Sequence, residues 1–192
     1  MIREIIFATN NRHKLDEVQE MLPTTTKLIT LLEAGISEDI VEDGLTLEEN
    51  ALIKARYVHR KTGKDCFADD TGLEVDALDG APGVFSARFA GLDHDFEANN
   101  ILLLKKLDGV LDRRARFRTV IALIKENREY LFEGIVDGTI TLEKWGEGGF
   151  GYDPLFVPVG QEKTFAQMTA EEKNRISHRG RAISKLVDFL NK

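Results

Sequence analysis

The chain is short of several things, and each shortage narrows what it can be. It has one cysteine, Cys66, in 192 residues. A lone thiol cannot build an internal disulfide framework, and it fits a reducing compartment. Cys66 stands beside Phe67 in an apolar run, which suits a buried thiol better than a nucleophile. The apolar stretch Ile5–Ala8 is far too short to span a bilayer, and the chain reads as carrying no secretory signal. Positive charge is in deficit: 26 basic against 33 acidic residues, a formal net charge of -7. That argues against an extended nucleic-acid surface, which needs clustered cations to replace counterions, but it leaves room for a small anion held by a few placed ones. The four histidines, His13, His59, His94 and His178, show no zinc spacing. No GxxxxGK[ST] loop, no GxGxxG fingerprint and no nucleophile elbow is present. Repeats, low-complexity tracts and flexible linkers are also missing.

What is there is a core-forming α/β pattern. The chain is 42% hydrophobic, and its length suits one domain or two small lobes sharing a sheet. Ile2 to Ala8 reads as a first strand covered on both faces. Leu15, Val18 and Leu22 then recur at helical spacing, closed by Pro23. Lys27 to Leu32 is a second strand, and Glu38 to Gly44 is acidic and irregular. A helix is predicted from Leu47 to Arg60, with Thr46 and Glu49 at capping-box spacing and Gly63 as its stop. Cys66 to Ala68 predicts a short buried strand, and Leu73, Val75 and Ala77 a half-exposed one. Phe96 to Leu107 reads as a helix. Arg116 to Ile124 and Glu129 to Val136 read as a hairpin turning at Glu126-Asn127. Asp137-Gly138 should interrupt before a further strand, Thr139 to Lys144. Thr169 and Glu172 have capping-box spacing, and Ile183, Leu186, Val187 and Leu190 mark the inner side of a C-terminal helix.

The polar landmarks carry the chemistry. Asp69-Asp70 follows Phe67-Ala68 at the end of a buried strand. Ionised carboxylates resist burial unless a metal, a cation or hydrogen bonds compensate them, so the pair is either an acidic turn or a metal-dependent site. Thr9-Asn10-Asn11 joins a strand to a helix, where unpaired N–H groups attract phosphate. Lys14 in the first turn opposes the helix dipole, and a bound anion would account for it. Glu42 could join Asp70 as an oxygen ligand for magnesium, which keeps waters and uses substrate phosphates to complete its shell. Glycines 146, 148, 149 and 151 surround Phe150, Tyr152 and Asp153, a tight loop with aromatics able to stack on a planar group. Lys173 could reach a phosphate, and His178 and Arg179 could clamp a base edge. Read together, the residues point to a magnesium-bound phosphorylated compound.

These segments, in this order, resemble the inosine triphosphate pyrophosphatase family. The matching pieces are Ala8 to Lys14, Glu42-Asp43-Gly44-Leu45-Thr46 with Glu49-Asn50-Ala51 and Lys54-Ala55, and Ala68 to Leu73. Gly80 to Gly83 with Ser86-Ala87-Arg88, Gly149 to Pro154, Glu172-Lys173-Asn174 and Ser177 to Gly180 complete the series. The resemblance runs almost end to end over residues 1–192, as a single domain. It implies an elongated mixed central β-sheet flanked by helices, two lobes with an active-site cleft between them, and a cytoplasmic homodimer. It implies magnesium-dependent hydrolysis of ITP, dITP and XTP to the monophosphate and pyrophosphate. Carried over by position, Thr9, Asn10, Asn11 and Lys14 contact phosphates. Glu42 and Asp70 hold magnesium. Asp70 also takes the base role, with Asp69 as support or a second ligand. Thr71 keeps a hydroxyl where serine is common. Phe150, Gly151, Tyr152 and Asp153 wall the base pocket, and Lys173, His178 and Arg179 complete the nucleotide contacts. Asp43 departs from the usual threonine and adds negative charge near a triphosphate. A Maf-like nucleotide pyrophosphatase and a non-catalytic nucleotide binder are the alternatives. The late Ser177-His178-Arg179 motif disfavours the first, and retention of Lys14, Glu42, Asp69 and Asp70 the second.

Overall fold

Among the described residues, seven strands form one mixed sheet in the order Thr26–Ile29, Arg3–Phe7, Cys66–Val75, Arg114–Lys125, Arg128–Ile140, Phe156–Pro158, with Pro82–Gly83 pairing Cys66–Val75. The structure, a computed structural model, describes residues 3–91 and 95–191. Ile2, at the head of the expected first strand, and His94 lie outside the described residues. The strands are β1 (Arg3–Phe7), β2 (Thr26–Ile29), β3 (Cys66–Val75), β4 (Pro82–Gly83), β5 (Arg114–Lys125), β6 (Arg128–Ile140) and β7 (Phe156–Pro158). The helices are α1 (Arg12–Met21), α2 (Leu47–Thr62), α3 (Phe96–Lys106), α4 (Ala170–Ile176) and α5 (His178–Leu190). β1 runs parallel to both β2 and β3, whereas β6 and β7 are antiparallel. Among the described residues no helix is long and apolar enough to cross a membrane.

The chain forms two compact units. The first comprises Met1–Asp70, Thr119–Gly134 and Arg179–Lys192; the second comprises Thr71–Arg118 and Ile135–His178. In the first unit, Ile5, Phe7, Phe67, Ile121 and Leu123 from the strands pack with Val18 of α1, Leu22 just beyond its end, and Ile183, Leu186 and Leu190 of α5. Phe7 and Phe67 are register partners in the parallel pair, and their rings stack at 4.5 Å. Full burial of each ring contributes about 1.5–3 kcal/mol. The second unit has its own core: Leu73, Val75, Leu103, Leu107, Phe117, Val136, Leu155, Phe156 and Phe165.

Local signals explain most boundaries. Asn11 caps α1, its side chain accepting from Lys14 N. Thr46 caps α2 by accepting from Glu49 N, and Gly63 ends that helix in the left-handed region. The Glu49 carboxylate completes no reciprocal box; it accepts from Leu45 N at 2.6 Å instead. Thr169 and Glu172 form both bonds of a capping box on α4. Glu126 and Asn127 make the predicted hairpin turn, both at positive φ.

Three expectations need correction. The segments predicted on either side of Asp69-Asp70 are one ten-residue strand, so the acid pair lies inside β3 and not at its end. Cation partners, described below, compensate the carboxylates where they stand. Gly138 does not interrupt β6, which runs on to Ile140. A Cβ there would meet the Phe156 ring at 2.5 Å, so this glycine permits close packing of β6 and β7 and does not mark a break. The predicted second strand is shorter, ending at Ile29. β7 carries too few residues to show a period.

Candidate active site

In the first unit, three loops and helices converge on Asp69 and Asp70. The turn after β1 is shaped by its own side chains: Thr9 Oγ1 accepts from Asn11 N at 3.1 Å, and Asn11 Oδ1 accepts from Lys14 N at 3.2 Å. That cap aims Lys14 along the helix's first turn, and its Nζ donates to Asp69 Oδ1 at 3.0 Å. Asp69 Oδ2 faces Arg179 Nε at 3.4 Å, and Arg179 also bonds the Glu17 carboxylate. A chain of alternating charge results: Lys14, Asp69, Arg179, Glu17. Arg179 is 1% exposed, a burial that a guanidinium tolerates because both carboxylates face it.

Asp70 lies in a second group. Lys54, on the buried face of α2, donates to Glu42 Oε2 at 2.7 Å and stands 3.6 Å from Asp70 Oδ1. Asn50, one turn earlier, donates from Nδ2 to Asp70 Oδ2 at 3.2 Å and accepts from Gly44 N at 2.9 Å. The loop that carries Glu42 is tied down further by Asn10 Nδ2 donating to Asp39 and by Glu38 meeting Tyr57 and Lys61.

Electrostatics split the two aspartates. Burial would raise the Asp69 carboxyl, but Lys14, Arg179 and Lys54 outweigh it and hold its pKa down at about 2. Asp70 moves the other way. Burial raises its pKa, and the charges of Glu42 and Asp69 add to the effect against Lys54 and Lys14. Burial pushes Lys14 below its usual range, with Lys54 and Arg179 assisting. For Lys54, burial is outweighed by Asp70, Glu42 and Asp69, and its pKa rises. A neighbouring pair driven apart in this way gives one permanently ionised support and one carboxylate able to take a proton.

Among the described residues no group of three or more His, Cys, Asp or Glu side chains is arranged to hold a metal ion. Glu42 and Asp70 nonetheless fit magnesium: both are hard oxygen donors, and both already face one cation, the Lys54 ammonium. One or two carboxylates, completed by waters and phosphate oxygens, are what that ion ordinarily takes. Asp69 is a poorer ligand, because both of its oxygens face cations of the protein.

The second unit holds a different cluster. Lys173 Nζ donates to Asp153 Oδ2 at 2.7 Å with both side chains buried, and it lies 4.9 Å from the centre of the Phe150 ring. Phe150 N donates to the same Asp153 oxygen at 2.8 Å. Gly149, at φ +68°, is required there: a Cβ would fall 2.1 Å from Asp153 Oδ2. Gly151 O accepts from Asn100 Nδ2 at 3.0 Å, and the Tyr152 hydroxyl donates to Ser86 O at 2.8 Å. His178 stacks on Phe117 with ring centres 4.5 Å apart.

The predicted residues thus fall into two sets. Thr9, Asn10, Asn11, Lys14, Glu42, Asp69, Asp70 and Arg179 belong to the first unit. Thr71, half-buried on β3, Phe150, Gly151, Tyr152, Asp153, Lys173 and His178 belong to the second. His178 and Arg179, expected to work together at a base edge, are divided: the Arg179 guanidinium is engaged by Asp69 and Glu17. Tyr152, expected in a pocket wall, is 4% exposed within the core, its hydroxyl turned to Ser86. Sequence reasoning assigned no role to Glu17, Asn50, Lys54 or Asn100. For two of them a signal existed. Asn50 and Lys54 interrupt the buried face of α2 formed by Leu47, Ala51, Ala55 and Val58.

Comparison with known proteins identifies the family. The Ham1 family model matches residues 5–189. The dITP/XTP pyrophosphatase of Flavobacterium psychrophilum is 51% identical over 186 residues, covering 97% of this chain and 98% of that protein. The dITP/XTP pyrophosphatase of Porphyromonas gingivalis is 52% identical over 190 residues, with 98% of each chain covered. Among solved structures, the Staphylococcus aureus Ham1 protein superposes with a TM-score of 0.89 at 42% identity, and a HAM1 protein from Coxiella burnetii with 0.90 at 40%, each covering 98% of both chains.

Proposed function

The chain belongs to the Ham1 family of inosine triphosphate pyrophosphatases, and from that premise we propose that it hydrolyses ITP, dITP and XTP to the monophosphate and pyrophosphate. Such a reaction clears deaminated purines from the nucleotide pool. The observation that carries the reading is Asp70, buried on β3 with Lys54 and Glu42 on one side and the Lys14–Asp69 pair on the other.

Water attacks the α-phosphorus, a new P–O bond forms, and the bond to the bridging oxygen breaks as pyrophosphate leaves. Asp70, its pKa raised, accepts the proton of the attacking water. Asp69 stays ionised and holds Lys14 beside the departing diphosphate, where the ammonium offsets the charge that develops. Thr9, Asn10 and Asn11 orient the phosphates at the start of α1. Arg179 acts chiefly through Asp69, fixing the second oxygen of that carboxylate. Glu42 and Asp70 would hold magnesium, which when bound neutralises phosphate charge and aligns the chain.

For the base, the family resemblance implies the turn around Phe150. Phe150 offers a flat face, with Thr71, Gly151, Tyr152, Asp153 and Lys173 shaping the surrounding turn. His178 and backbone N–H groups supply donors for the 6-keto oxygen of hypoxanthine or xanthine. Adenine would place an amino donor against them, and an unpaired buried polar group costs about 1–3 kcal/mol, roughly ten- to a hundredfold per contact. As the family resemblance implies, the working form is a cytoplasmic homodimer, which sedimentation of the purified protein tests.

Pyrophosphate release is the assay, run on ITP, XTP, GTP and ATP with magnesium and with EDTA, and with the nucleoside product identified by mass. ITP and XTP should be turned over well ahead of ATP, and EDTA should abolish release. Equal efficiency on all four would reject selection at the 6-position, and release of orthophosphate in place of pyrophosphate would reject attack at the α-phosphorus.

A further inference from the structure

Building on the reading of Glu42 and Asp70 as the metal pair, we propose that Asn50 is the positioning residue of that pair. Its amide nitrogen fixes Asp70 through one oxygen, and its carbonyl oxygen holds the loop that delivers Glu42.

Asn50 is 1% exposed in the first turn of α2. Asparagine is a weak helix former, because its side chain competes for backbone hydrogen bonds. Its neighbours on the buried face, Leu47, Ala51, Ala55 and Val58, are apolar. An apolar side chain at position 50 would suit both the helix and the core better. The amide is tolerated because both of its ends are bonded. The partners also fix its orientation. Gly44 N can only donate, so Oδ1 must face it at 2.9 Å. Nδ2 is then left to face Asp70 Oδ2 at 3.2 Å, where an ionised carboxylate accepts. Gly44 is itself shaped for this contact: a Cβ there would fall 2.7 Å from Asn50 Oδ1 and 2.7 Å from the Glu49 Cβ.

Two consequences follow for the carboxylates. Asp70 Oδ2 accepts the amide, so Oδ1, on the side of Lys54, is the oxygen presented to a cation, and the second lone pair of Oδ2 is left for a proton. Gly44 is two residues beyond Glu42, so the bond to Asn50 anchors the loop beside its ligand. Lys54, four residues further along the same helix face, takes Glu42 Oε2 at 2.7 Å. One rigid helix thereby sets the positions of two donors that come from a loop and a strand. Outer hydrogen-bond partners of this kind orient ligating carboxylates, and their loss typically weakens metal binding about 10- to 100-fold.

The test uses manganese(II), a hard divalent ion whose binding to the nucleotide-free protein is read by electron paramagnetic resonance. Asn50→Ala should remain folded, bind manganese at least about tenfold more weakly than the wild type, and need correspondingly more magnesium for half-maximal turnover. The KM for ITP at saturating magnesium should change little. Gly44→Ala acts from the other end of the same bond and should shift manganese affinity in the same direction. Asn50→Ser, which keeps a polar group in the buried space, replaces the alanine variant if that one does not fold. Thermal unfolding accompanies every measurement. Folded position-50 variants that lose melting temperature yet bind manganese like the wild type would reduce Asn50 to a packing residue and overturn the proposal. A wild-type protein that binds no manganese would instead overturn the metal reading of Glu42 and Asp70, and the proposal with it.

Discussion

The first unit's cluster is built from charge, and the second unit's from one ion pair set among rings. Around Asp69 and Asp70, the side chains of Lys14, Glu17, Glu42, Lys54 and Arg179 are joined by ion pairs. Around Asp153, a single lysine is bonded to a single carboxylate and lies over Phe150 and Phe165. The first arrangement drives the protonation of its two aspartates apart. The second holds a flat surface at a fixed angle.

Substitution at Asp70 should give the largest effect. Asp70→Asn should lower turnover of ITP about 10²- to 10⁴-fold with the circular dichroism spectrum unchanged. A folded variant with near-normal pyrophosphate release would remove the charge-built cluster from the chemistry. Asp153→Ala should act on the fold first. It strands the Lys173 ammonium in a buried place, which costs about 3–5 kcal/mol in urea denaturation. Should that variant be as stable as the wild type and lose only substrate affinity, the contrast between the units would fail. Gly149→Ala is a smaller version of the same experiment. Positive φ and the collision with Asp153 predict a loss of about 1–3 kcal/mol, with KM for ITP raised.

Stability against pH sharpens the comparison inside the first cluster. Asp69 has its pKa depressed from 3.8 to about 2, so its contribution to stability is complete above about pH 4 and disappears as pH falls through about 2. Asp69→Asn should therefore be less stable than the wild type at neutral pH, and the gap should close in acid. Asp70 has the opposite sign: its raised pKa means that ionisation opposes folding once pH passes its unfolded value. Asp70→Asn should leave the metal-free protein as stable as the wild type or more so at pH 7. Urea titrations in EDTA at stepped pH separate the two. Parallel stability curves for the two variants would show that the aspartates are not differentiated.

Much of this was legible beforehand. The first strand, the strand-to-helix junction at Thr9-Asn10-Asn11, the α2 cap at Thr46 and the hairpin turn at Glu126-Asn127 are each written in a few adjacent residues, because they depend on local backbone preferences and hydrogen bonds. The identities of the charged residues were equally readable. Gly138 was misread because a glycine that admits a neighbouring ring looks, in one dimension, like a glycine that breaks a strand.

The sequence by itself determined which elements form and which acids and bases are available, since periodicity, caps and turns act within a few residues. Only the tertiary structure decided how those charges are shared. Lys14 and Asp69 are 55 positions apart, and Arg179 and Asp69 are 110 apart. Whether a buried carboxylate sits near pH 2 or above its usual range depends on which distant cations reach it, and Coulomb interactions act across space without regard to position along the chain.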